Sequence, residues 1–204
     1  MFDISAVDIS SVVGLTAMVL LTLNILMGLL VSTNYNPVAQ WPHRKLPWPL
    51  FKIHNWTGYS ALLIAMLHPV ILLFSSSPHF TLGDILLPLS SPGQRLYNNL
   101  GALTLYGFIV VAVTSYLRPK LGYRSWKKLH YTAYFAAATM FVHGTLIDPE
   151  LKNRPTDFLD GEKVLVETCL CIVLLAVIWR IRRGTEKQRY RASHRYQHRA
   201  VERR

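Results

Sequence analysis

Charged residues make up only 16% of this 204-residue chain, and acids are the scarcest of them: 11 Asp and Glu against 22 Lys and Arg. A soluble domain averages about 25% charged residues, so the polar surface needed to face water on every side is missing. Cysteine is nearly absent, and two thiols, Cys169 and Cys171, cannot supply a disulfide framework. Two positions apart on a helix, they point about 200° away from each other, which leaves core packing as their role. Glycine and proline number 11 each, without a period and gathered in turn-like clusters such as Ser91-Pro92-Gly93. Collagen-like and low-complexity chains are thereby excluded. What the chain has in quantity is apolar surface, with 51% hydrophobic residues and a mean hydropathy of +0.24.

Five apolar runs have the roughly 17 to 25 residues that a helix needs to cross hydrocarbon. They are Ser11 to Val31, Ile53 to Ser75, Tyr97 to Leu117, Leu129 to Ile147 and Val164 to Ile181. The acid Glu167 lies near the start of the fifth, within reach of the interface. The expected fold is an all-α membrane protein of five transmembrane helices. Eighteen of the 22 Lys and Arg then fall on one side and four on the other. That asymmetry marks the cytoplasmic side, with the N-terminus outside and the C-terminus inside. Trp41, Trp48, Trp56, Trp126 and Trp179 all fall on the basic side, where amphipathic rings favour the headgroup layer. The expected organisation is a short extracytoplasmic segment 1–10, a membrane domain 11–181 and a basic cytoplasmic tail 182–204. The first run lacks a basic flank and is expected to stay as an anchor. A net charge of +11 spread over membrane loops sets topology and calls for the lipid bilayer, not nucleic acid, as partner.

Four of the eight histidines lie inside these runs, where a neutral imidazole costs free energy unless its nitrogens are satisfied. His54 and His68 are fourteen residues apart on the second run, and His130 and His143 thirteen apart on the fourth. Both runs cross in the same direction, so a rise of about 20 Å separates two levels, His54 with His130 and His68 with His143. Two imidazole pairs at two heights suit two bis-histidine haems between helices of a bundle. A zinc site needs about four ligands, and no carboxylate or thiolate stands at either level. Cations for haem propionates are Arg118, Arg124, Lys127 and Lys128 at the inner level and Arg95 at the outer one. Gly58, Gly101, Gly107, Ala137 and Gly144 are candidates to clear space for a flat macrocycle. A spacing of fourteen returns to within about 40° of one helix face, whereas thirteen rotates about 220°. An irregularity is therefore expected between His130 and His143.

With these residues the chain resembles the ferric reductase-like transmembrane domain family, the haem-bearing module also found in NADPH oxidases and yeast ferric reductases. The family pattern is two histidines thirteen or fourteen apart on each of two membrane helices, and His54, His68, His130 and His143 match it. The segments 121–131 (Leu-Gly-Tyr-Arg-Ser-Trp-Lys-Lys-Leu-His-Tyr) and 141–144 (Phe-Val-His-Gly) are similar to the entry and exit of the family's second haem helix. The likeness runs over roughly Leu15 to Trp179. It implies two haem b groups and transmembrane electron transfer in a membrane oxidoreductase component of a bacterial inner membrane. Larger members carry a flavin and nicotinamide domain after the last span. Here the residues after the last run are Arg-rich and hold no glycine-rich dinucleotide loop, so no bound flavin is expected. Electrons are expected from a separate cytoplasmic flavin reductase or from quinol. They would leave to an extracytoplasmic acceptor such as ferric iron, oxygen or a partner protein, with His79 near Asp84 as a point of contact for a metal acceptor. The rival readings are a quinol-oxidising cytochrome b and a non-redox membrane scaffold whose histidines bond helix to helix.

Overall fold

The computed structural model describes residues 5–33, 50–87, 89, 91–152 and 154–201, with side chains through 185. Among them the regular elements are all helical. They are α1 (Ala6–Thr33), α2 (Leu50–Ile71, continued by a 3-10 turn Leu72–Phe74), α3 (Leu82–Leu86), α4 (Arg95–Tyr116), α5 (Arg118–His130), α6 (Thr132–Leu146) and α7 (Gly161–Val201). Two starts carry reciprocal caps. Ser5 and Asp8 exchange side-chain and backbone hydrogen bonds at α1, and Thr81 and Asp84 form a capping box at α3.

Four stretches are long and apolar enough to cross a membrane: Ala6–Thr33, Leu50–Phe74, Arg95–Tyr116 and Gly161–Thr185. Their outer faces carry residues such as Val12, Leu63 and Leu175, each more than 60% exposed. Water penalises such surface and lipid does not, so the chain is an integral membrane protein. The run 129–147, expected as one span carrying an irregularity, is not a single helix. It divides at Tyr131, and α6 alone has 15 residues. At 1.5 Å per residue that is about 22 Å, short of a hydrocarbon core of about 30 Å. By length and apolarity four helices qualify among the described residues, not five. The division supplies the irregularity expected between the two histidines. Tyr131 donates to Lys128 O and accepts from Tyr134 N, three-residue steps that tighten the helix and reset its phase. At the other end, α7 is continuous for 41 residues, so residues 182–201 of the basic segment are helical. Trp41 and Trp48, with Arg44 and Lys45, lie outside the described residues.

Contacts fix the helix directions. Gly14 lies against His68 and Gly28 against His54, so α1 and α2 are antiparallel. Thr104 bonds Thr139 at 2.8 Å and Gly107 faces Ala136, so α4 and α6 are antiparallel. Ser11 bonds Glu162 and Arg180 bonds Ser32, so α1 and α7 run together. The centre is filled by Met18, Leu21, Ala61, Phe108, Met140 and Val166. Small residues at the crossings allow close approach: a Cβ on Gly107 would come within 2.8 Å of the Ala136 Cβ, and Gly144 lies against Met18. Cys169 is buried in this core while Cys171 is exposed, both as free thiols, as their helical offset requires.

Candidate functional site

The four membrane histidines meet as two pairs. The rings of His54 and His130 have centroids 6.5 Å apart with planes at 77°, and those of His68 and His143 are also 6.5 Å apart, with planes at 67°. In each pair one ring comes from α2. Its partner is the last residue of α5 or the twelfth of α6.

Each ring is held by its Nδ1. His54 Nδ1 lies 3.1 Å from Asn24 O, His68 Nδ1 2.7 Å from Ser10 O, and His143 Nδ1 2.7 Å from Tyr97 O. A backbone carbonyl only accepts, so these three rings carry their proton on Nδ1 and leave the Nε2 lone pair free to bind a metal. His130 differs: its Nδ1 is 3.3 Å from the Ser115 hydroxyl, which also receives the Trp126 indole N–H at 3.4 Å. On α1 the clasp is two-pointed. The Ser10 hydroxyl donates to His68 O at 2.8 Å and lies 3.0 Å from His68 Nδ1, beside the closer Ser10 carbonyl, and the Asn24 amide donates to His54 O at 2.6 Å and to Thr57 Oγ1 at 2.9 Å.

Glycines open the space for the rings. A Cβ at Gly14 would lie 2.8 Å from His68 Nδ1, one at Gly101 2.8 Å from His143 Cε1, and one at Gly28 3.1 Å from His54 Cε1. Of the five clearance candidates read from the sequence, Gly101 touches a ring. Gly58 packs on Asn24, Gly107 on Ala136 and Gly144 on Met18 and Val166, while Ala137 is buried. Gly14 and Gly28 were missed, although their fourteen-residue interval repeats that of His54 and His68.

The second pair borders a cavity of about 180 Å³, lined by Ser10, Gly14, Met18 and Gly101 among others, with Asp84, Asp148, Glu162 and Lys163. Lys163 is a cation that lines this cavity. Its ammonium donates to Gly144 O at 3.0 Å and to Ile147 O, capping α6, whereas Arg95 is exposed at the start of α4 and does not line the cavity. Asp148 anchors the loop at the mouth. It accepts backbone N–H groups from Glu150 at 3.2 Å, Lys152 at 2.9 Å and Arg154 at 3.0 Å. Burial pushes the Asp148 carboxyl up, but the N–H groups of Arg154 and Glu150 and the Arg154 guanidinium outweigh it and hold it below the usual carboxylate range.

The first pair adjoins cations and aromatics. The Arg118 guanidinium lies 4.4 Å from the Trp126 ring centre and 5.5 Å from that of Phe51, and Trp126 is 5.0 Å from His130 at a 30° tilt. Lys127 lies over Tyr123, while Arg124 and Lys128 are exposed on α5. Outside the pairs, His79 Nδ1 reaches Ser75 O at 3.4 Å and the Asp84 carboxylate bonds Thr81.

A metal centre with two trans imidazoles needs two bonds of about 2.0–2.1 Å plus about 1.2 Å from each nitrogen to its ring centre, close to 6.4 Å in all. Both pairs have that separation. Among the described residues no group of three or more His, Cys, Asp or Glu gathers to hold a bare ion, so each pair brings together two imidazoles alone. No curated protein and no solved structure matches the chain. The model of the ferric reductase-like transmembrane component family matches residues 13–141, over half the chain, ending short of the expected Trp179 and two residues before His143. On that match, which spans α1 through most of α6 and three of the four paired histidines, the chain belongs to the ferric reductase-like transmembrane family and is a membrane redox component.

Proposed function

We propose that this chain carries electrons across the membrane with two haem b groups, one held by His54 and His130 and one by His68 and His143. The observation that carries the reading is the shared 6.5 Å separation of the two pairs, with each Nδ1 already bonded to protein. Bound haem supplies the one-electron carrier that an apolar bundle lacks. The chain's own residues hold four rings at two heights, exclude water with an apolar core and place cations at the ends. Loop charge supports an outside N-terminus, and the last turn of α5 with α6 makes a fifth crossing.

On this reading the first pair lies toward the cytoplasm in a bacterial inner membrane. The basic segment α5, kinked at Gly122 and carrying Arg118, Lys120, Arg124, Lys127 and Lys128, faces a separate flavoprotein donor through charge complementarity. The second pair serves an extracytoplasmic acceptor such as ferric iron, oxygen or a partner protein. A pyridine haemochrome assay against protein concentration tests the assignment, with two haems per chain expected. One or none overturns it. Anaerobic reduction of the purified protein by a flavin reductase with its nicotinamide, set beside reduction by quinol, decides the donor: reduction by quinol alone makes the chain a quinol-oxidising cytochrome.

A further inference from the structure

Three of the four rings are held by one local device. Ser10 with Gly14, Asn24 with Gly28, and Tyr97 with Gly101 are each a residue and its neighbour four positions on. The first of each couple offers its carbonyl to a histidine and the glycine lets the ring approach. A helical side chain leans back over the turn preceding it, so a side chain at the second position would cover the carbonyl at the first. Fourteen residues after Tyr97 and Gly101, the same register on α4 places Val111 and Ser115. There the glycine is replaced, and the Ser115 hydroxyl takes over from the carbonyl at 3.3 Å.

The exchange changes the chemistry of His130. A carbonyl accepting from Nδ1–H gives the ring imidazolate character and strengthens Nε2 as a ligand, which favours ferric over ferrous iron. A hydroxyl is a donor as well as an acceptor, and this one already accepts from the Trp126 indole. It therefore draws less on the Nδ1 proton. We propose that Ser115 is a positioning residue that makes the two haem sites electronically unequal, by giving His130 a shared hydroxyl where the other three ligands have a peptide carbonyl. This rests on the two-haem reading. It assigns the inequality to one side chain that touches neither metal nor macrocycle.

The test is optical spectroelectrochemistry of the purified full chain, with haem content measured on each sample. The component lost in His54→Leu identifies the first site. Ser115→Ala removes the acceptor, so the first-site midpoint rises and the second stays. Ser115→Gly re-creates the glycine of the other three rungs and exposes the Val111 carbonyl, so the first-site midpoint falls. Ser115→Thr keeps the hydroxyl and restores the wild-type value. If Ser115→Ala releases the first haem altogether, its retention in Ser115→Thr is the same effect carried further, and loss in both variants overturns the proposal. So do unchanged midpoints in the Ala and Gly variants, a shift shared by both components, or a Gly variant that moves with the Ala variant. Wild-type protein free of haem is a different result, which overturns the two-haem reading itself.

Discussion

The two histidine pairs have the same ring separation but are not built alike. The second pair sits within single helices, α2 and α6, beside a cavity, and each ring meets a carbonyl, His68 with the Ser10 hydroxyl as a second neighbour. The first pair shares the α1 half of that design. Its other ring stands at the junction of α5 and α6, where a hydroxyl, an indole and a guanidinium replace the carbonyl and glycine. The intervals explain the difference. Fourteen-residue steps recur on α1, α2 and α4, and each returns a side chain to nearly the same face. His130 and His143 are thirteen apart, so the helix must break at Tyr131, and the ring that arrives there finds a different partner. Helical regularity builds three rungs, and the fourth is assembled from side chains.

The largest effects break the pairs one at a time. His68→Leu or His143→Leu is expected to lower haem from two per chain to one and leave the first site loaded, and His54→Leu or His130→Leu to do the converse. Loss of both haems from a single substitution would show that the levels are not independent. Filling the ring spaces comes next. Gly101→Val or Gly14→Val puts a branched side chain where even a Cβ lies 2.8 Å from an imidazole atom, and the second haem is lost while the first remains. Gly28→Ala meets His54 at 3.1 Å, so its cost sits at the low end of the about 1–3 kcal/mol typical of overpacking, seen as weakened retention of the first haem only.

A smaller effect separates the two clasps on α1. Asn24→Ala keeps the carbonyl that holds His54 but removes the amide bonds to His54 O and Thr57. Each such bond is worth about 0.5–1.5 kcal/mol, and transfer of haem to apomyoglobin should show that loss at the first site alone. Ser10→Ala removes the hydroxyl from both His68 O and His68 Nδ1 but leaves the Ser10 carbonyl on the ring, and should act on the second site alone. Equal losses from both sites in either variant would mean that α1 acts through general packing.

Much of this arrangement was legible in the sequence for a physical reason: rise per residue is the same for any helix, so spacing alone sets His54 level with His130 and His68 with His143. Membrane character was equally open, because apolar run length answers to bilayer thickness. The irregularity before His143 followed from arithmetic on 3.6 residues per turn. What the spacing does not encode is azimuth against neighbouring helices. Gly14 and Gly28 passed unremarked in a run read for hydropathy, and Lys163 was counted as loop charge although it caps α6 beside the cavity. Arg95, named for its nearness to the outer level, is exposed at the start of α4. The break at Tyr131 also divides a run that hydropathy alone joins into one span.

The smallest effect sharpens the comparison through pH, because the buried anion Asp148 is at the second pair's end, where it lines the cavity and gathers the backbone of residues 150–154. Its folded-state pKa lies below the unfolded value of about 3.9, so its contribution is complete above that pH and disappears as pH falls through the folded value. Removing a charged acceptor of buried hydrogen bonds costs about 1–3 kcal/mol, and Asp148→Asn should lower the thermal midpoint at pH 7 accordingly. The gap between wild type and variant should narrow once pH falls below the unfolded value and close only below the depressed folded one, where the wild-type carboxyl is itself protonated. Haem release on acidification should follow the same order, with the second site of Asp148→Asn opening more readily than that of wild type at pH 7 and the first sites indistinguishable. A first site that weakens equally would place the loop's influence on the whole bundle and remove the distinction between the two ends.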